Sequence, residues 1–204
     1  MLKSEDIISG LQSIVDKYST FAIAWHIVLY VLIAALLAKW IPTNKTLAII
    51  ISFPILSVAV FAWLTGNPFN GMMFSIATIL LVIFGLKASS QSISFSQLPF
   101  IIAGILMITF GLVYPHFINP NSVIKYLYSS PVGLIPCPTL SLIIGFLLLY
   151  NGLGSQPITI VIIILGLFYS IFGVVKLKVN LDFFLLLGTI TLMIKYIVNL
   201  RTLS

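Results

Sequence analysis

The chain has 204 residues, of which 60% are hydrophobic and 7% charged, and its mean hydropathy is +1.21; a soluble domain carries roughly a quarter of charged residues, so the composition is that of a lipid-embedded protein. The net charge of +6 comes from ten basic residues against four acidic ones, placed singly at the ends of apolar runs. That placement suits anchoring at lipid headgroups and excludes the clustered basic face of a nucleic-acid binder.

Residues 1–20 carry charges throughout and no continuous apolar run, so they read as an amphipathic interfacial helix rather than a cleavable signal peptide. Ser4 is the expected cap, with Glu5 and Asp6 in the first turn; Ile7, Ile8, Leu11, Ile14 and Val15 form an apolar stripe opposite Asp16 and Lys17. The first span is expected over residues 21–40, ending at the interfacial pair Lys39 and Trp40. A second span follows over 46–64, with Pro54 inside it as a tolerated kink. The connection TGNPFNG leads to a third span over 68–87, started by Pro68. ASSQSISFSQ, residues 88–97, is the most polar linker, and a fourth span follows over 98–113.

The next stretch, HFINPNSVIKYLYSSPVGLIPCP, is too polar to cross lipid freely and too apolar for a solvent loop, which predicts a short interfacial or re-entrant helix over 120–128. The fifth apolar segment, 138–150, is shorter than the hydrocarbon core and reads as a half-helix. The last two spans are expected over 157–175 and 181–198. The fold class is therefore an all-α polytopic bundle of about seven hydrophobic segments in one membrane domain, 1–204. With seven spans the basic residues tie at five on each side, so charge assigns no orientation.

One cysteine excludes an internal disulfide or a Cys-rich metal site. Cys137 lies between Pro136 and Pro138 and is expected to be the N-cap of the fifth segment, where the helix dipole favours a thiolate and apolar burial opposes it. Ser129, Ser130 and Thr139 offer hydroxyls to an anionic group at that helix start, with Tyr114 and His116 close by in sequence. His26, His116 and Cys137 are the sole nitrogen and sulfur set available to a metal, scattered along the chain. Lys195 is expected to snorkel from the end of the last span. There is no P-loop, dinucleotide fingerprint, HExxH or GxSxG, and no paired intramembrane carboxylates, so most hydrolytic and phosphoryl chemistry has no residues to perform it and no cofactor is indicated.

The segments DKYSTFAIAWHI, FAWLTGNPF, YPHF and above all VGLIPCPTLSLIIGFLLL give a chain that resembles a family of uncharacterised prokaryotic multi-pass membrane proteins with a G-x-x-PCPT signature. Gly133, Pro136, Cys137, Pro138 and Thr139 match that signature, and Ser19 stands where the family pattern has Asn after the N-terminal Tyr. The resemblance implies a cell-membrane location and makes the Pro-Cys-Pro-Thr turn a family feature; it implies no activity. Three functional classes remain open: a small transporter or channel-like protein with its site at this turn, a non-catalytic component packing against itself or a membrane partner, and a thiol- or metal-dependent redox protein.

Overall fold

The computed structural model describes residues 4–117 and 123–203. Nine α-helices follow one another: α1 (Ser4–Lys17), α2 (Ser19–Leu37), α3 (Asn44–Leu64), α4 (Pro68–Lys87), α5 (Leu98–Val113), α6 (Tyr126–Ser129), α7 (Pro136–Leu149), α8 (Gln156–Ile171) and α9 (Asp182–Leu203). A 3₁₀ turn, Val123–Lys125, leads into α6, and a π-helical turn, Phe172–Lys176, extends α8. Part of the short helix expected over 120–128 falls outside the described residues. The remainder is this 3₁₀ turn and α6, which docks on α2 through a hydrogen bond from the Tyr30 hydroxyl to the Leu127 carbonyl.

Five helices are long and apolar enough to cross a membrane: α2, α3, α4, α8 with its π turn, and α9. The chain is an integral membrane protein. Two of the seven expected segments, α5 and α7, are shorter apolar helices of 16 and 14 residues. Contacts between connections show that successive segments run in alternating directions. On one face, the α1 face, Ser4 Oγ donates to the Lys176 carbonyl and Gln12 Nε2 to the Phe117 carbonyl. On the far face, Asn44 Nδ2 donates to Ser89 Oγ and Asn199 Nδ2 to Asn151 Oδ1.

The apolar stripe of α1 packs as its spacing predicts, with Leu11, Ile14 and Val15 buried against Ala22, Phe61, Leu134 and Ile135. Ser4 is not its cap: it is the first helical residue, and its hydroxyl ties the helix to the end of the π turn. Pro54 lies inside α3 without ending it.

The centre of the bundle is α7, with twelve of its fourteen residues buried. At a rise of 1.5 Å per residue it spans about 21 Å, less than the hydrocarbon core of about 30 Å. It lies against α5 almost backbone to backbone. A Cβ at Gly104 would stand 2.8 Å from the Gly145 carbonyl oxygen, and one at Gly111 would stand 2.7 Å from that of Pro138. Small residues provide this close approach, and in lipid the resulting dispersion contact is a main source of helix association.

Both ends of α7 lie inside protein, so their unpaired backbone groups need partners. At the C-terminal end all four carbonyls have one. Tyr150 N donates to Phe146, Lys195 Nζ to both Leu147 and Leu148, Ser96 Oγ to Leu148, and Ser96 N to Leu149. Lys195 therefore does not snorkel: it is 2% exposed and its ammonium also meets Ser96 Oγ at 2.6 Å. At the N-terminal end two of the first four nitrogens belong to Pro136 and Pro138, which have no N–H to satisfy, and Ile135 N donates to Pro131. The Pro-Cys-Pro run is thus a way to begin a helix below the surface with few orphan donors.

Gly111→Val should lower the stability of the detergent-solubilised protein by about 1–3 kcal/mol or prevent a monodisperse preparation, because the Pro138 carbonyl has no room to yield. Gly10→Ala, where no atom lies within 4 Å, should be neutral or stabilising by up to about 1 kcal/mol. Thermal unfolding followed by tryptophan fluorescence compares the two.

Candidate functional site

The N-terminal end of α7 meets the ends of α5 and α8 and the start of α9 on the α1 face. Asp182, the first residue of α9, is 1% exposed and accepts a hydrogen bond from the Tyr114 hydroxyl at 2.8 Å. The Cys137 thiol lies close enough to interact with the same carboxylate. Among the described residues no basic side chain forms an ion pair with it. Burial, and after it the nearby Cys137 and Asp182, push the Tyr114 phenol above its ordinary value, so it stays protonated and acts as the donor.

Gly173 makes room for this carboxylate, since a Cβ there would fall 1.9 Å from Asp182 Oδ2. The glycine sits within the π turn, a local irregularity that widens the helix backbone and recurs at functional sites. A second polar pair lies alongside, where the Tyr169 hydroxyl donates to Asn70 Oδ1 at 2.8 Å. Above these groups is an open cavity of about 700 Å³, walled mainly by apolar side chains and covered along one side by Ile7, Gly10, Leu11 and Ile14 of α1.

The residues singled out in the sequence divide into two groups. Tyr114, Pro136 and Cys137 line the cavity. Cys137 is the second residue of α7 rather than its N-cap, which is Ile135, because both flanking prolines adopt helical geometry at the helix start where their missing N–H costs nothing. The hydroxyls expected to serve a ligand are bonded within the protein. Ser129 Oγ donates to Lys125 O, Ser130 Oγ to Gly111 O and Thr139 Oγ1 to Ile135 O, and Thr139 Oγ1 also accepts from Gly133 N. Gly133 has φ +75°, and a Cβ there would collide with Trp25 at 2.3 Å. Gly133, Pro138 and Thr139 thus shape the turn, while Cys137 faces the cavity.

His26 is buried with Nδ1 2.8 Å from the Ala22 carbonyl and Nε2 3.0 Å from that of Leu112. Both ring nitrogens lie against carbonyl oxygens, which leaves neither with an open position for a metal, and the residue joins α2 to α5. His116 packs its ring 4.2 Å from that of Phe117, and burial lowers its pKa from the ordinary value, leaving it neutral near pH 7. Among the described residues no three His, Cys, Asp or Glu side chains are grouped to hold a metal ion, so His26, His116 and Cys137 do not form the set that their chemistry alone allowed. A second, polar cavity of about 260 Å³ on the far face includes Lys195 and Asn199. Lys195 has all three ammonium hydrogens directed at Ser96, Leu147 and Leu148.

Asp182 was legible as one of four acids, yet its partners Cys137 and Tyr114 lie 45 and 68 positions away, and no local periodicity links them. Chain crossings bring the three together. The chain matches no family model, no curated protein and no solved structure.

Tyr114→Phe removes a donor from a buried carboxylate and should cost about 1–3 kcal/mol. Gly173→Ala displaces the same carboxylate and should also destabilise. In a double-mutant cycle by thermal unfolding the two losses should be less than additive, because both disturb Asp182; full additivity would show that they do not share it.

Proposed function

We propose that this integral membrane protein is a small transporter or channel-like protein whose working site is the cavity at the Gly133 to Thr139 turn. The observation that carries the reading is a lone carboxylate, Asp182, held by Tyr114 and sharing with Cys137 the lining of an apolar cavity within a bundle of apolar helices. An ionisable group buried among apolar helices is costly, which favours a functional role for it. The floor lies beside the start of a half-length helix, a place where membrane transporters bind their solutes. Pro136 and Cys137 of the signature that carries the family resemblance line this cavity, and that resemblance is the ground for placing the protein in a prokaryotic cell membrane.

A membrane component that only packs against partners has no use for a cavity ending in a carboxylate, and a metal-dependent redox protein lacks a grouped ligand set among the described residues. A redox reading based on the thiol alone would make Cys137 the reacting group; its engagement with Asp182 favours a role in binding.

The wild-type chain has one thiol, which allows a direct test. A membrane-impermeant maleimide applied at mildly alkaline pH to sealed vesicles of each orientation should modify Cys137 from the α1 face at least about tenfold faster than from the far face. Modification from neither face until the protein is unfolded would make Cys137 a packing residue and overturn the reading.

A further inference from the structure

We propose that the cavity on the α1 face binds an organic cation, a protonated amine or an onium ion with an apolar body, whose charge is met by Asp182. The inference rests on the cavity being the working site and adds the class of its ligand. Three independent features converge on it.

The first is charge. The chain holds ten basic and four acidic residues, yet the acid Asp182 lies at the floor of this cavity, and among the described residues no lysine or arginine is in its lining. The nearest basic residues in sequence, Lys176 and Lys178, are exposed and outside the lining. A buried carboxylate without a cation is costly in low dielectric, and a ligand that brings positive charge recovers that cost.

The second is hydrogen-bond polarity. The Tyr114 hydrogen is committed to Asp182 and the Tyr169 hydrogen to Asn70 Oδ1. The phenol oxygens therefore present lone pairs beside the carboxylate, with the Asn70 amide nitrogen as a donor in the same lining. Such a floor suits a ligand that donates, and a neutral or anionic acceptor would meet lone pairs head on.

The third is the wall. Tyr114, Tyr169, Phe168 and Phe172 are among its lining residues, and aromatic faces attract organic cations. A bare metal ion would want six or more oxygens at short range, which one carboxylate and scattered phenols do not supply. A volume of about 700 Å³ falls in the range of cavities that enclose drug-sized molecules.

The test uses the full chain in nanodiscs with radiolabelled tetraphenylphosphonium as the probe and the Cys137 maleimide rate as a second readout. Saturable binding that slows Cys137 modification in the wild type is the expected result. Asp182→Asn should weaken binding about tenfold or more. Tetraphenylborate, of the same shape and opposite charge, should neither compete nor protect. If Cys137 is accessible from the α1 face but tetraphenylphosphonium neither binds nor protects it, the ligand class is wrong and the cavity reading stands. Equal protection by tetraphenylborate, or full binding by a folded Asp182→Asn, would also overturn the cation assignment. If Cys137 is inaccessible from both faces, the underlying reading fails first.

Discussion

A helix that stops short inside a bilayer protein must find partners for the backbone groups at both of its ends, because hydrocarbon supplies none. The arrangement around α7 meets that requirement. Its C-terminal carbonyls take an ammonium from α9 and both the hydroxyl and the amide of Ser96 from the polar linker. Its N-terminal end dispenses with two donors by using prolines. Its flank is closed by α5, which glycines bring almost into backbone contact. Polar groups around α7 are thus paired within the protein, whereas the charge of the Asp182 carboxylate is neutralised by nothing among the described residues.

That exception is also where the bundle is least filled. The π turn at the end of α8 and Gly173 within it create space in which Asp182 can lie beside α7. The amphipathic α1 then lies across the space, its apolar stripe against Phe61, Leu134 and Ile135 and its polar side outward. The cavity results from a short central helix, a widened turn and a covering helix, each of which serves packing as well.

Much of this architecture is visible in the one-dimensional pattern, since lipid imposes a simple rule on long apolar runs. The expected spans over 68–87 and 98–113 coincide with Pro68–Lys87 and Leu98–Val113, because prolines and lysines mark their ends. The site is less legible. Cys137 stood out by composition, but its partner Asp182 lies beyond a further helix, and the hydroxyls of Ser129, Ser130 and Thr139 looked available for a ligand because nothing local reveals that carbonyls would absorb them. Lys195 misled for a related reason. A lysine near a helix end ordinarily reaches for water, and only the arrival of α7's terminal carbonyls at its tip makes an inward course favourable.

The cap on α7 also bears on biosynthesis. Lys195 lies 47 positions after Leu148 and is translated after α8 and most of α9. Until the ribosome has delivered α9, the Leu147 carbonyl lacks the ammonium that meets it in the folded bundle. The central helix is therefore completed only by a residue made after α8 and much of α9, and the bundle closes around its middle no earlier than that.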